Sequence, residues 1–227
     1  MTVSILSAPF LQQLHKSGAA LPTQAAEVES VGAQAVRDER ARRQSACPGL
    51  IHPEVDLRAV WRTAFGMANA PAELVEEAVA RWGAWTTRTC TAPGAALALA
   101  LLRSRGILLG MGSNAQFLAP SLFALHFGSP AERCGFDEHL CVWSVDLGVA
   151  KPDPAFFAEI VARAKGLGLL PREILFVGND PARDIDPARD AGFATCLYAG
   201  DARCLRPAAS IPAEAVITHF EQLGELV

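Results

Sequence analysis

The hydrophobic pattern divides the chain into two parts with different periodicities. Up to about Cys90, apolar positions recur at helical spacing, and from Pro93 onward short apolar runs alternate with helical segments. The pattern predicts helices at 22–44, 55–65, 72–85, 93–105, 155–165 and 183–191, and strands at 107–111, 140–144, 174–177, 194–198 and 216–218. Alternation of this kind is typical of a parallel sheet with helices on both faces, joined by right-handed crossovers.

Composition narrows the class of protein. The 227 residues are 51% hydrophobic and 19% charged, enough for one sizeable core and a smaller subdomain. A net charge of −4 gives no basic surface for nucleic acid, so we expect no nucleic-acid partner. The longest apolar stretch is broken by arginines and glycines, so we expect no membrane-spanning segment. No signal-peptide pattern opens the chain, and the six cysteines form no CxxC pair, so we expect a cytoplasmic protein with reduced thiols.

Three motifs contain residues that could bind a ligand or take part in catalysis. In "FVGNDPARDIDPARDAG", residues 176–192, an apolar strand runs into a cluster of carboxylates where a helix begins. The run "ILLGMGSNA" ends in Ser113 and Asn114, and "GVAKPDP" supplies Lys151. Ligands of open parallel sheets bind at the carboxyl ends of the strands. An ammonium, a hydroxyl and carboxylates at that edge favour a site for a phosphate and a divalent cation.

In the order and spacing of these motifs, from about Pro93 to Gly192, the chain resembles the haloacid dehalogenase-like superfamily of hydrolases, most of which are phosphatases. The resemblance implies that Ser113 hydrogen-bonds the transferred phosphoryl group and that Asn114 helps to hold its oxygens. It also implies that Lys151 neutralises the charge of the phosphate and of the nucleophile. The implied reaction is hydrolysis of a phosphate monoester through an aspartyl-phosphate.

The same resemblance implies a cofactor and a class of substrate. Mg²⁺ would be held by Asp184 together with Asp180 or Asn179 in "VGNDPARD". The substrate would be a small phosphorylated molecule, whose identity the sequence leaves open, as it does the oligomeric state. Dehalogenation also stays open, because both reactions begin with attack by the same aspartate.

The family's architecture supplies the expected domains. Residues 91–227 would form a Rossmann-like α/β core, and residues 11–90 an α-helical cap that closes over the site and selects the substrate. Residues 1–10 would be a remnant of the first core strand. In the family that strand is central in the sheet.

One departure concerns the nucleophile. The family's first strand ends in DxD, whereas the first aspartate of this sequence is Asp38, in an arginine-rich helical stretch. In one interpretation, residues 2–6 follow the missing motif directly, so the sequence begins late and the native protein is an active enzyme. In the other, residues 3–6 are the first strand, with Ser7 and Pro9 in place of the aspartates, and the protein binds phosphate or metal without catalysis. The intact downstream motifs favour the first interpretation.

A third hypothesis comes from a different class of protein. Gly110, Gly112 and Ala115 fit the dinucleotide-binding pattern G-x-G-x-x-A after a strand. No acidic residue ends a following strand at the required distance, and the pattern leaves Lys151 and Asp184 without a role. Dinucleotide binding therefore ranks below the two hypotheses based on hydrolase motifs.

Overall fold

The computed structural model describes residues 7–200 and 213–227. The chain divides into two compact units, Met1–Thr89 and Cys90–Val227. The sequence assigns residues 1–10 to a remnant of the first core strand. Residues 1–6 lie outside the described residues, as does Cys204, whereas residues 8–10 form the first turn of a helix, with Pro9 at a position that suits a helix start.

The first unit is helical in its described part. Its helices are α1 (Ala8–Lys16), α2 (Ala25–Ala46), α3 (Leu57–Ala64) and α4 (Ala72–Thr86). Helix α3 begins at a cap, because the Asp56 carboxylate accepts the N–H of Arg58 at 2.8 Å. Trp61 packs edge-on against Phe65 at 4.8 Å and lies 6.2 Å from Trp82, between ring centroids. These aromatic rings form part of the unit's own core.

The second unit alternates helices and strands, as the sequence predicts. Its elements are α5 (Ala95–Ser104), β1 (Leu109–Ser113), α6 (Ala119–Phe127), β2 (Phe136–Trp143), α7 (Ser144–Leu147), α8 (Pro154–Gly166), β3 (Leu175–Gly178), α9 (Asp186–Asp190), β4 (Ala194–Tyr198) and β5 (Ala215–Ile217). All of the pairings between these strands are parallel. The unit is therefore an α/β fold of the Rossmann-like kind.

The strands form two sheets, whereas the sequence suggests one. Strand β1 pairs with β2, and β3, β4 and β5 form a second sheet in that order. Within the described residues, β1 and β3 are therefore each hydrogen-bonded to a strand on one side only. The physical reason for the division is that none of the described strands lies between β1 and β3.

Strand β1 begins two residues later than the apolar run 107–111 predicts. Gly106 adopts a left-handed conformation with φ of +71°, and the Ile107 N–H donates to the Leu102 carbonyl at 3.0 Å. Ile107 is therefore still held by the end of α5. The strand consequently runs through Ser113, and the candidate hydroxyl is its last residue.

Two further observations bear on class and chemistry. Along residues 7–200 and 213–227, every helix is too short or too polar to cross a bilayer. The described cysteines are free thiols, namely Cys47, Cys90, Cys134, Cys141 and Cys196.

Candidate active site

Lys151 lies where the carboxyl ends of β1 and β3 meet. Its ammonium Nζ donates to the carbonyl of Gly112, near the end of β1, at 2.9 Å. It also donates to Oδ1 of Asp184, in the turn that follows β3, at 2.6 Å. One ammonium therefore contacts the carboxyl ends of both strands and links their sheets at this edge. The structure thus brings together two residues that the sequence predicts to share a site.

Asn114 fixes the main chain of Lys151. Its Nδ2 donates to the Lys151 carbonyl at 2.9 Å, and its Oδ1 accepts the Lys151 N–H at 2.7 Å. This pair of hydrogen bonds ties the loop after α7 to the end of β1. The Asn114 amide therefore holds the lysine in place and keeps one amide hydrogen for another acceptor.

Ser113 is the last residue of β1, next to the carbonyl that Lys151 contacts. It lies opposite Trp143 in the β1–β2 register and is partly buried. In the part of the chain that the structure describes, its hydroxyl makes no hydrogen bond. The hydroxyl can therefore serve an anionic ligand at this edge without losing an existing contact.

The Asp184 carboxylate is held from several directions. Its Oδ2 accepts the backbone N–H groups of Asn179 at 3.1 Å and Asp180 at 3.0 Å, while Oδ1 accepts from Lys151. Only 8% of the Asp184 side chain and 12% of the Lys151 side chain are exposed. A buried ion pair is tolerated when further hydrogen bonds offset the loss of hydration, and these supply them.

Gly178 makes room for this arrangement. A Cβ atom at Gly178 would lie 2.2 Å from the Cβ of Asp184, a distance that no real pair of atoms adopts. The turn can therefore wrap around the carboxylate only if this position carries no side chain.

Aromatic rings form the apolar wall behind the ammonium. The Lys151 Nζ lies 5.9 Å from the Phe156 ring centroid and 5.6 Å from that of Phe176. Both rings are within the range of cation–π attraction. They also exclude water, which strengthens the attraction between the ammonium and an anion at the open side of the site.

The fit of a divalent cation depends on which oxygens stay available. Asp180 Oδ1 already accepts the N–H groups of Ala182 and Arg183, each at 3.1 Å, and thereby caps the helical turn Pro181–Ile185. The oxygens that are left are Asp180 Oδ2, which lies 3.9 Å from Nε of Arg183, the oxygen of the exposed Asn179 amide and one lone pair of Asp184 Oδ1. Mg²⁺ needs only one or two carboxylates and keeps several waters, so this donor set fits it. Among the described residues, no three His, Cys, Asp or Glu side chains form a metal-binding group.

The structure adds two buried polar residues that sequence reasoning missed. The Ser144 hydroxyl is fully buried, accepts the N–H of Ala115 at 2.9 Å and donates to its carbonyl at 3.3 Å. Asp153 is buried and caps α8 by accepting the N–H of Ala155 at 3.0 Å. The Asp-Pro pair at the start of α8 is a capping signal that could have identified Asp153. Ser144 carries no comparable signal.

The dinucleotide hypothesis disagrees with the geometry. Gly110 and Gly112 lie inside β1, and Gly112 pairs with Val142 of β2. In the dinucleotide fingerprint these glycines form the turn between the strand and the helix, where the backbone approaches the pyrophosphate. The motif therefore does not form a pyrophosphate-binding turn here.

The first aspartate of the sequence lies on a helix. Asp38 belongs to α2, where its Oδ1 accepts from Gln34 Nε2 at 2.7 Å on the exposed surface. Ser7 is the described residue just before α1. Residues 2–6 are not described, so both interpretations of the first motif stay predictions.

The motifs and the fold agree with the comparisons to known proteins. The model of the haloacid dehalogenase-like hydrolases matches residues 9–192. No curated protein gives a significant match.

Several solved structures share the fold of this chain. A 2-haloacid dehalogenase of Pseudomonas syringae pv. Tomato DC3000 is 23% identical, with 98% of this chain and 87% of that one covered and a TM-score of 0.62. L-2-haloacid dehalogenase from Xanthobacter autotrophicus is 21% identical over 86% and 83%, with a TM-score of 0.54. A HAD phosphatase from Thermococcus onnurineus is 21% identical over 68% and 62%, with a TM-score of 0.50. At these identities the structures show a shared fold, and the family match shows that the chain belongs to the haloacid dehalogenase-like hydrolases.

Proposed function

We propose that the edge formed by Ser113, Lys151 and Asp184 binds the phosphoryl group of a small phosphate monoester and serves its hydrolysis. The observation that carries the proposal is the Lys151 ammonium, held at 2.9 Å from the Gly112 carbonyl and 2.6 Å from Asp184. It is fixed before any ligand arrives. Phosphoryl transfer depends mainly on positioning and charge neutralisation, and a fixed ammonium supplies both.

Each residue then has a defined part. Lys151 offsets the charge of the phosphoryl oxygens, the Ser113 hydroxyl donates to one of them, and Asn114 keeps the lysine loop in place. Mg²⁺, held by Asp184 with Asp180 or Asn179, would neutralise further phosphoryl charge when bound. The walls formed by the phenylalanine rings keep water away from the ammonium.

The nucleophile is the part that the described residues do not supply. The family attacks with an aspartate that ends a strand, and the first aspartate here, Asp38, lies in the middle of α2. Binding of phosphate is therefore the property expected of this sequence itself. Turnover requires an aspartate brought to the same edge.

The direct test is calorimetric binding of inorganic phosphate to the full chain, with and without Mg²⁺. Lys151→Met should weaken phosphate binding at least about tenfold, since one charge contact to phosphate contributes on the order of 1.5–3 kcal/mol. Lys165→Met, at an exposed position near the end of α8, is the matched control and should bind as the parent does. Ser113→Ala, which leaves the ion pair intact, should also weaken binding. Equal affinity in the parent, Lys151→Met and Ser113→Ala would refute the proposal.

A second candidate reaction is the displacement of halide from a 2-haloacid. It is favoured by the contacts of Asp184, whose two oxygens accept three hydrogen bonds, so that the carboxylate is held in place without a cation. Two of the similar structures described above are haloacid dehalogenases. Mg²⁺ discriminates between the candidates: it should strengthen binding of phosphate but leave binding of 2-chloropropionate unchanged.

A further inference from the structure

Segment 144–151 leads from the end of β2 to the site lysine and is held at both of its ends. At its first residue, the Ser144 hydroxyl accepts the N–H of Ala115 at 2.9 Å and donates to the Ala115 carbonyl at 3.3 Å. At its last residue, the main-chain N–H and carbonyl of Lys151 bond to the Asn114 amide at 2.7 and 2.9 Å. Both ends of the segment are therefore anchored on one dipeptide, Asn114–Ala115, directly after β1.

Further hydrogen bonds and packing hold the interior of the segment. The N–H of Gly148 donates to the Ser144 carbonyl at 2.8 Å and closes the single turn of α7. The N–H of Val145 donates to the Ala115 carbonyl at 3.3 Å, beside the bond from the Ser144 hydroxyl. Val149 is buried. Because the segment is short and bonded along its length, a displacement of one end is carried to the other.

Ser144 is the buried member of this arrangement. Its surface is fully covered, whereas Asn114 at the other end is exposed. A serine hydroxyl donates one hydrogen and accepts through two lone pairs, so it can bond the N–H and the carbonyl of one residue at once. An alanine at this position would remove the acceptor of the Ala115 N–H and one of the two donors to its carbonyl.

The anchored dipeptide lies between the two groups that the proposed function assigns to the phosphoryl group. Ser113 precedes the dipeptide in the chain and is paired with Trp143 across the β1–β2 ladder. Lys151 is hydrogen-bonded to the dipeptide through Asn114. The separation between the Ser113 hydroxyl and the Lys151 ammonium therefore depends on how the dipeptide is oriented. Two donors can serve one phosphoryl group together only when their separation is held to the productive geometry.

We infer that Ser144 is a positioning residue of the proposed phosphate site. Its buried hydroxyl fixes the dipeptide after β1, and the dipeptide sets the separation between the Ser113 hydroxyl and the Lys151 ammonium. Ser144 acts through the dipeptide and does not touch the phosphoryl group. Because Ser144 and Asn114 hold opposite ends of one segment, loss of either hold loosens the other end. The role in binding rests on the proposed function, whereas the linkage between the two ends does not.

Hydrogen exchange of single amides in the free full chain, followed by NMR, tests the linkage. In Ser144→Ala the Lys151 amide should exchange at least about fivefold faster, although its acceptor on Asn114 is unchanged. In Asn114→Ala the Ala115 amide should also exchange at least about fivefold faster, although the Ser144 hydroxyl is still present. Asn114 is exposed, so this second variant keeps the test valid if Ser144→Ala does not fold.

Two references separate the linkage from a general loss of stability. Each increase is divided by that of the Cys196 amide, because Cys196 is buried in the central strand of the β3–β5 sheet and reports opening of that sheet. Ser104→Ala is the matched control, since Ser104 is exposed near the end of α5 and bonds only within that helix. It should leave both test amides unchanged.

Calorimetric binding of inorganic phosphate tests the positioning role, at a temperature where each variant is fully folded. Ser144→Ala should weaken binding at least about threefold, and Ser104→Ala should not change it. The double variant Ser144→Ala with Asn114→Ala should weaken binding by less than the product of the two single effects, because both substitutions remove the same restraint.

The outcomes distinguish this inference from the proposed function. An unchanged Lys151 amide in Ser144→Ala would overturn the inference, and so would a double variant whose effect equals the product of the single effects. Faster exchange at Lys151 in a protein whose parent binds no phosphate would confirm the linkage and refute the proposed function alone. Phosphate binding by the parent with the same affinity in Ser144→Ala would refute the positioning role alone.

Discussion

Strands β1 and β3 differ sharply between their carboxyl ends and their middles. At the carboxyl ends, Lys151 joins them with contacts of 2.9 and 2.6 Å, and the Asn114 amide holds the lysine loop. In the middle, a cavity of about 730 Å³ lies between them, and none of the described strands pairs with the facing edges. The comparison shows that loops and side chains assemble the charged edge of the site.

The two regions also differ in the interactions that stabilise them. The carboxyl end rests on a buried ion pair with several hydrogen bonds, whose loss leaves an uncompensated charge. The middle rests on apolar side chains around a space, so its stability depends on what fills that space. Changes at the carboxyl ends should therefore have large effects on the stability of the folded protein, whereas changes around the cavity should have smaller ones.

The largest effect is expected from Asp184→Ala. The substitution leaves the Lys151 ammonium and the N–H groups of Asn179 and Asp180 without their acceptor. The free energy of unfolding should fall by about 3–5 kcal/mol, measured by urea denaturation. Glu77→Gln is the control, because it removes an exposed ion pair with Arg81 and should cost no more than about 0.5 kcal/mol. Similar losses in the two variants would contradict the conclusion that the contacts of Asp184 stabilise the folded protein.

A second prediction concerns the reactivity of two thiols, one inside the β3–β5 sheet and one at the cavity. Cys196 lies fully buried in β4, and burial raises its pKa to about 11. Cys90 is exposed and lines the cavity between β1 and β3. At pH 8 a raised pKa lowers the thiolate fraction, so iodoacetamide should label Cys196 at least about a hundredfold more slowly than Cys90, as followed by mass spectrometry.

The outcome sharpens the comparison between the cavity and the sheet. If Cys196 reacts as fast as Cys90 in the folded protein, the β3–β5 sheet is not closed around it.

Ser144→Ala should have an intermediate effect. The Ser144 hydroxyl is buried and satisfies both the N–H and the carbonyl of Ala115, in the loop that follows β1. Leaving these groups unpaired should lower the free energy of unfolding by about 1–3 kcal/mol. Ser104→Ala, at an exposed position near the end of α5, is the control and should change it by less than about 0.5 kcal/mol. A negligible loss in Ser144→Ala would mean that water takes over the contacts.

Asn114→Ala should have the smallest effect on stability and a clear effect on binding. Asn114 is exposed, so loss of its two hydrogen bonds to Lys151 should cost only about 1 kcal/mol in denaturation. The lysine loop would then be less ordered, and phosphate affinity should fall several-fold in calorimetry. An unchanged affinity would show that the Gly112 and Asp184 contacts suffice to place the ammonium.

Parts of the fold followed from the sequence for identifiable reasons. The strand at 194–198 is predicted with the bounds observed, because a short, mostly apolar run begins there, two residues after Gly192. The sequence pattern assigns no bounds to helix α6, because "APSLFALHF" is mostly apolar and shows no helical stripe. Strand β2 begins earlier than the predicted 140–144, because polar residues at 137–139 conceal its first half.

The candidate site was predictable in its residue types but not in its contacts. Lys151 and Asp184 were identified by their motifs, and the structure places them 2.6 Å apart. The Gly112 carbonyl and the Asn114 clamp depend on how loops far apart in sequence meet, which local patterns do not encode. The division into two sheets was also hidden, since strand order depends on the whole topology.

Gly178 cannot be substituted without moving the Asp184 carboxylate. Every substitution of a glycine adds at least a Cβ, and a Cβ here would lie 2.2 Å from that of Asp184. Each single-nucleotide replacement of this codon that changes the amino acid therefore pushes the carboxylate away from Lys151, although it alters neither charged residue. A survey of variants that scored only the charged positions would overlook Gly178, where every substitution disturbs the site.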